Sequence, residues 1–317
     1  MKKANLTHLQ TSLARIDDYI RAAVERAQSA SQGPTDALRG LVVSDDEVNL
    51  LMQQVPLRGL WEEGTSLRLA LNLPDKADPD YPFINLVEAF GLSILDAHLL
   101  LFCLAPELDR RYERVYAYLQ DDMSQRRVTV NLLMNLLGGD LSERFKVWER
   151  LQPESPLIQY RLVSVVPNSD KPNAASLSHT VKVDQRVVGH LLGLDIPDDR
   201  IRHAVKQAPM DEVVAVTDDV FERLQDAMAD APIYYMQGKA DTGQASTAAA
   251  LCRPYDVALV RINGVGLRIP DMPFDELWRL AIREGLLQQA ALMIENWEKL
   301  LGDDTQPNSE FWAAVMA

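Results

Sequence analysis

The sequence predicts an α+β protein: a mostly helical N-terminal region followed by a partial α/β region with a parallel sheet. Three observations support this. Apolar residues recur every three or four positions through most of the first 150 residues, which is the helical period. Two runs rich in β-branched residues, 157–166 and 177–183, then interrupt that period around a turn-rich stretch. From residue 231 onward, apolar strand-like runs alternate with helical ones, the order expected of parallel strands joined by crossover helices.

At 317 residues the chain can hold two or three cores, since domains usually span about 100–200 residues. A content of 47% hydrophobic and 25% charged residues is that of an ordinary globular protein. The net charge of -14 argues against general affinity for nucleic acid or anionic membranes, because the summed field repels phosphate. Cys103 and Cys252 stand far apart in apolar contexts, poor material for a disulfide and consistent with a reducing compartment. No apolar stretch follows the lysines of MKKANLTHLQ, so the N-terminus is not a secretory signal. The most apolar run, 99–105, is stopped by Pro106, whereas a membrane span needs about 20 residues. The expectation is a soluble cytoplasmic protein without membrane partners.

Along the chain, Leu6, Leu9, Leu13, Ile16, Ile20, Ala23 and Val24 mark an amphipathic helix over 5–30, about seven turns long. Such a helix serves either a partner or an intramolecular docking site. With the Ser/Gly/Pro stretch 29–35 it forms a first segment, 1–35. A small helical connector, 36–80, includes a short helix over 45–54 and ends in the Pro/Asp-rich break at 72–81. From 81 to 228 a denser region begins with Phe83, Leu86, Val87 and Phe90 on one helical face, ended by Gly91. Ser93 caps a helix over 94–104, Pro106–Asp109 turns the chain, and helices follow over 110–120, 129–137 and 142–151. Tyr112, Tyr116 and Leu119 form a core stripe. The two β-branched runs read as a hairpin, Asp184 caps a helix to 192, and a last helix covers 218–230. Short helices followed by a β-hairpin give the outline of a winged helix. The remainder, 229–317, reads as a buried strand over 231–238, a helix over 245–252, strand 257–262, helix 274–287 and strand 290–294. Three strands are few for a doubly wound sheet, so this last domain is expected to be truncated.

The turn after the first of these strands, Gly238 to Ala245, has the glycine spacing of a phosphate-binding loop, G-x-x-x-x-G-K-[ST], between strand and helix. Such a loop turns backbone N–H groups toward phosphates; its lysine reaches the β- and γ-phosphates and its hydroxyl holds magnesium. Gly238 and Gly243 keep the spacing, but the lysine position holds Gln244 and the hydroxyl position Ala245. Lys239 comes five residues early, Ser246 one late, and Asp241 adds negative charge. Thr242 completes the candidate nucleotide-contacting set of Gly238, Lys239, Thr242, Gly243, Gln244 and Ser246. The acidic strand end that should bind magnesium and activate water is Ile294-Glu295-Asn296, where Asn296 cannot take a proton at neutral pH. The expectation is a vestigial site with no catalytic and no metal-binding residues, no required cofactor, and at most weak contact with ATP or ADP. Two glycines between strand and helix also suit an ordinary tight turn.

The segments Phe83–Ser93, Leu104–Asp109 (LAPELD) and Arg111–Asp122 (RYERVYAYLQDD) resemble the N-terminal region of the AAA+ ATPases encoded beside bacterial phage-tail-like contractile injection systems. The resemblance implies a winged-helix-like region before a degenerate AAA domain, with a competent AAA domain further on. It also implies an oligomeric parent whose partners are ring neighbours and an injection-system component or cargo. The family's ATPase activity does not transfer to these residues, since no intact lysine-bearing loop is present. A weakly hydrolysing enzyme using Lys239 and Glu295, or a DNA-binding regulator, are the alternatives. Against DNA, Asp109, Glu113, Asp121 and Asp122 surround Arg110, Arg111, Arg126 and Arg127. The histidines at 8, 98, 179, 190 and 203 show no ligand spacing for zinc.

Overall fold

In the computed structural model, which describes residues 3–30, 81–167, 175–207, 216–228, 233–238, 242–267 and 272–300, the N-terminal amphipathic stretch forms α1 (Lys3–Ala30). The expected linker at 29–35, the helix over 45–54 and the break at 72–81 fall largely outside the described residues. Two units separate along the chain, residues 1–194 and 195–317.

In the first unit, Pro82 opens α2 (Pro82–Ala89) and Gly91, at φ +57°, stops it in a left-handed turn that favours glycine. Ser93 then caps α3 (Ile94–Leu108) in a reciprocal capping box with Asp96. Every residue from Asp96 to Ala105 is buried, so α3 is the centre of the unit. It also runs four residues past the expected turn, straight through Pro106. A proline there has no N–H for the carbonyl of Phe102 four residues earlier. The Tyr116 hydroxyl, from α4 (Arg111–Leu119), donates to that carbonyl at 3.0 Å instead. The freed acceptor is thereby satisfied, and the helix continues.

The helix α1 docks within this unit, against α3, α4 and the later α5 (Val130–Leu137), which settles the choice left open by its sequence. Leu9, Ile16, Tyr19, Ile20 and Ala23 are buried in the contact. Asp17 fixes its position: Tyr112 Oη donates to Oδ1 at 2.7 Å and Arg111 Nη2 to Oδ2 at 2.6 Å. Burial and the Asp17 bond push the Tyr112 hydroxyl up to about 12, so it remains a donor at neutral pH. His98 of α3 lies under Tyr19, ring centroids 5.9 Å apart, with Nδ1 on the Ile94 carbonyl at 2.8 Å.

The chain continues through α5, α6 (Leu141–Glu149) and one helical turn, α7 (Pro156–Gln159). That turn replaces the start of the expected strand over 157–166. Ser155 caps it, Pro156 suits its first position, and Arg161 takes φ +53°, so β1 is only Val163–Val166. The second run is likewise shortened by a 3₁₀ turn at Ser176–Ser178, leaving β2 (Thr180–Val183). The two strands pair antiparallel, Val163 opposite Val183 and Val166 opposite Thr180. Asp184 then caps α8 (Gln185–Leu191), as expected.

In the second unit, β3 (Val205–Gln207) runs antiparallel to β4 (Ala258–Asn263), and β4 runs parallel to β5 (Ala290–Glu295). The crossover from β4 to β5 is α11 (Phe274–Leu287), with the sequence-predicted bounds. α9 (Asp218–Met228) and α10 (Gln244–Cys252) complete the described helices. The expected buried strand over 231–238 is not seen among its described residues. Its described part, 233–238, carries no ladder, and Ile233 and Tyr235 are exposed. The sheet is therefore mixed, with one parallel pair. Ala290, Leu292 and Ile294 face the core formed with α11, while Ala291 and Met293 face a smaller core formed with α10. Close packing locks α11 to β5: a Cβ on Gly285 would stand 2.7 Å from Leu292 Cγ.

A buried ion-pair network ties the start of this unit to α11. Arg283 contacts Asp198 Oδ2, Arg200 Nε donates to Asp198 Oδ1 at 2.8 Å, and the Asp198 N–H donates to Glu284 Oε1 at 3.2 Å. Burial alone would raise the pKa of Asp198, but the bonds from Arg200 and the charge of Arg283 hold it below the ordinary carboxylate value.

Two outcomes follow from the first unit. Tyr116→Phe removes the donor to the Phe102 carbonyl and is expected to cost about 1–3 kcal/mol, the penalty of an unsatisfied buried acceptor. An unchanged urea midpoint would refute that role. The second concerns His98 and His8, whose pKa values are lowered by burial and by the charge of Arg15, although the Ile94 bond partly opposes this at His98. Both stay neutral in the folded chain where the unfolded chain binds protons. Stability is thus fully present above about pH 6.5 and declines as pH falls from there toward the folded values. Thermal melts between pH 7.5 and 5.5 should show the decline, and His98→Leu should flatten it.

Candidate functional site

Between α5 and α6 lies a three-residue turn, Gly138-Gly139-Asp140, the connection of a helix-turn-helix. The sequence closes it tightly. A Cβ on Gly138 would meet the Arg144 backbone N at 2.7 Å and Cα at 2.8 Å, so only glycine lets α6 approach this closely. Asp140 caps α6 by accepting from the Glu143 N–H at 2.7 Å, and Glu143 in turn accepts from the Gly139 N–H at 2.8 Å. Arg144 is buried and reaches back to Asn135 of α5. Burial lowers its pKa, although the guanidinium remains charged at any physiological pH. A short bridge from Thr129 to Thr180 joins the chain ahead of α5 to β2, completing helix, bridge, two helices and hairpin.

With Arg144 and Val147 turned inward, the face of α6 farthest from the core carries Ser142, Lys146 and Glu149, all exposed. Beside the buried stripe lie Leu141, Phe145 and Trp148, 45%, 52% and 39% exposed, at positions i, i+4 and i+7. Those three lie on one stripe. Isolated exposed apolar residues are ordinary, but an aligned leucine, phenylalanine and tryptophan form a patch. Arg150, at the end of α6, approaches Asp96 of α3 at 3.8 Å and holds this end against the core. The sequence signal was available as Leu141-x-x-x-Phe145-x-x-Trp148. It was missed because Arg144, Val147 and Leu151 form a second stripe beside it, and periodicity alone does not say which stripe is buried.

Of the arginines considered for DNA, Arg111 pairs with Asp17 and with Asp109 at 3.0 Å, Arg110 lies 3.6 Å from Glu113, and Arg127 contacts Glu107. They are distributed among acids rather than gathered into a basic face.

The glycine loop of the second unit is described except for 239–241, so Lys239 and Asp241 lie outside the described residues. Gly243 sits at φ +99°, a conformation that needs glycine, and precedes α10. Ser246 is buried and its Oγ donates to the Gly243 carbonyl at 2.9 Å. Gln244 and Thr242 fold over Gly238: a Cβ there would stand 2.6 Å from Gln244 Nε2 and 3.0 Å from Thr242 Oγ1. Glu295 is brought near none of these in a described contact. Its Oε1 instead accepts from Arg261 Nε at 2.8 Å and Nη2 at 2.5 Å, a residue the sequence analysis did not single out. Asn296, at φ +54°, donates to Asn263 Oδ1 at 3.3 Å. Among the described residues these side chains do not fit a magnesium nucleotide: position 245 has no oxygen, position 244 no charge, and the Glu295 carboxylate is bonded by an arginine. Among the described residues no group of three or more His, Cys, Asp and Glu is arranged to hold a metal, and no helix is long and apolar enough to cross a membrane.

The tight turn yields a direct test. Gly138→Ala forces the α6 backbone outward and is expected to destabilise the first unit by about 1–3 kcal/mol, the usual cost of overpacking. A melting temperature equal to that of the unaltered chain would show that α6 does not need this approach.

Comparison with known proteins supplies one match. No curated protein and no solved structure matches the chain. A family comparison matches residues 3–205 to the winged helix domain, variant, which spans α1, the helix-turn-helix and the hairpin. On that match over most of its length, together with the geometry of α5, α6, β1 and β2, the chain belongs to the variant winged helix domain family.

Proposed function

We propose that this chain is a non-catalytic interaction module that recognises a protein partner through the exposed face of α6. The observation that carries the proposal is the Leu141–Phe145–Trp148 stripe on the second helix of the helix-turn-helix. A helix that reads DNA in the major groove presents arginine, lysine, asparagine or glutamine to base edges. Here the exposed positions hold Leu141, Phe145 and Trp148 beside Ser142, Lys146 and Glu149, and the large apolar side chains gain most by entering a desolvated protein pocket. The net charge of -14 also disfavours DNA.

The resemblance of 83–122 to the AAA+ ATPases of contractile injection systems supports a finer assignment. In it the chain is the regulatory part of a ring-forming cytoplasmic ATPase. Its partners are ring neighbours and an injection-system component or cargo. The second unit then acts as a degenerate AAA-like scaffold. It needs no cofactor and at most touches ATP or ADP weakly, because Gln244, Ala245 and the Arg261-bound Glu295 supply neither metal ligand nor base.

A photo-crosslinking residue at position 145, used in cells, is expected to join the chain to protein. The double variant Phe145→Ser, Trp148→Ser should reduce capture by a crosslinker at a neighbouring position at least about tenfold, as loss of aromatic anchors does. Circular dichroism should show the fold retained, since both side chains are surface residues. Retention of duplex DNA at moderate salt that disappears in the same variant would overturn the proposal in favour of a DNA-binding regulator. Magnesium-dependent ATP turnover lost on Lys239→Ala or Glu295→Ala would overturn it in favour of an enzyme.

A further inference from the structure

The guanidinium of Arg144 is buried without a counter-charge. The residue is 5% exposed, and its described bond, from Nη1, goes to the neutral side chain of Asn135. Nε is enclosed with no partner, and burial lowers the pKa with no acid to oppose the fall. A buried cation normally brings an acid with it, as Arg283 of the second unit does with Asp198. A single neutral acceptor leaves much of the cost of removing a charge from water uncompensated. Packing over Gly138 does not account for the charge, since that contact is made by Cγ of the stem. Position adds a second observation. Arg144 stands three residues after Leu141 and four before Trp148, so it lies between them at the border of the inner and exposed stripes of α6. Nη2 is neither bonded nor fully enclosed, so the border is where the charge can be met.

We infer that α6 takes a segment of a protein partner in which an aspartate or glutamate is flanked by large apolar side chains. The carboxylate pairs with Arg144, and the apolar groups cover Leu141, Phe145 and Trp148. This rests on the reading of α6 as a protein-binding face and names the chemistry of what it binds. The planar fork of a guanidinium matches a carboxylate, and a charge-assisted pair of this kind is stronger than a neutral bond. Apolar side chains closing over the stripe exclude water from the pair, which strengthens it further. A run of phosphates suits the surface less well. Asp140 and Glu149 are exposed and Glu143 is half-exposed on the same turn and helix, and they repel a polyanion along its length. One carboxylate aimed at Arg144 meets a single cation instead.

Nuclear magnetic resonance of the full chain tests this, with the Arg144 Nε–H and Trp148 indole signals as reporters. Phenylbutyrate carries a ring and a carboxylate, phenylbutanol the ring without the charge, and inorganic phosphate the charge without the ring. Phenylbutyrate is expected to move both signals and to bind at least about tenfold more tightly than phenylbutanol, the effect of one charge-assisted bond. Phosphate should bind more weakly than phenylbutyrate. Arg144→Met keeps an unbranched stem over Gly138 and removes the charge, so it should erase the preference for the acid over the alcohol. The comparison of acid with alcohol needs no variant and stands even where Arg144→Met fails to fold. Equal affinity for the two, phosphate as tight as phenylbutyrate, no shift with any probe, or a preference that survives Arg144→Met would each overturn the inference. The underlying reading fails separately. A crosslinker at position 145 that captures no protein removes both, whereas capture lost in Phe145→Ser, Trp148→Ser but unchanged in Arg144→Met removes only the acidic partner.

Discussion

The first unit depends on keeping one helix, α3, dry along its whole length. Ten consecutive residues of α3 are buried, so its backbone carbonyls have no access to water. A proline near its end would ordinarily leave one of them without a partner. Tyr116 removes that penalty with its hydroxyl and, in doing so, fixes α4 against α3. Tyr112, one turn earlier on α4, then faces Asp17 of α1. Two tyrosines on one stripe thus fix the placement of three helices: Tyr116 satisfies the buried backbone, and Tyr112 draws the N-terminal helix onto the assembly. This explains why the stripe carries tyrosines rather than phenylalanines, which would fill the same volume without bonding.

The helix-turn-helix gains its rigidity from that foundation, and α6 shows how one short helix serves two surfaces. Its inner stripe is unusual in including a buried arginine, which would be costly without a partner. Arg144 bonds Asn135 on the preceding helix and packs over Gly138, so the same residue that needs a partner also sets the closeness of the turn. Leu141, Phe145 and Trp148 lie beside that inner stripe and are exposed. Their exposure leaves an apolar stripe at the surface beside the charged and polar residues of the helix.

Much of this was legible in the sequence where the signal was local. Ser93 before α3 and Asp184 before α8 are caps whose side chains lie within a few residues of the N–H groups they serve, whereas Thr129, read as the first helical residue, is the cap of α5. The amphipathic period gave α11 its bounds. What escaped depended on distant residues. Pro106 reads as a stop unless Tyr116 is known to lie across from Phe102. The run 157–162 is apolar enough for a strand, but Ser155-Pro156 starts a helical turn and Arg161 reverses the chain. β3 is three residues long and exists only because β4 offers an edge fifty residues away. At the loop, the missing charge at 244 and the missing oxygen at 245 were visible as identities. The binding of Glu295 by Arg261 was not, because only the parallel register of β4 and β5 brings them together.

The Glu295–Arg261 ion pair bears on the chemistry available near the glycine loop. A carboxylate at the end of an apolar strand beside a neighbouring strand has two stable uses: it can hold a metal ion, or it can be neutralised by an arginine. Here Arg261 bonds Oε1 of Glu295 through two nitrogens and offsets its charge. Arg261 and the losses at 244 and 245 therefore act in the same direction. The loop has no lysine at 244 and no hydroxyl at 245, and the Glu295 carboxylate is bonded by Arg261, while Gly238 and Gly243 keep their spacing ahead of α10. The side chains present there now stabilise the loop and the β4–β5 pair themselves: Gln244 covers Gly238, Ser246 bonds Gly243, and Glu295 bonds Arg261. These bonds hold the loop and the strand pair through the chain's own polar groups.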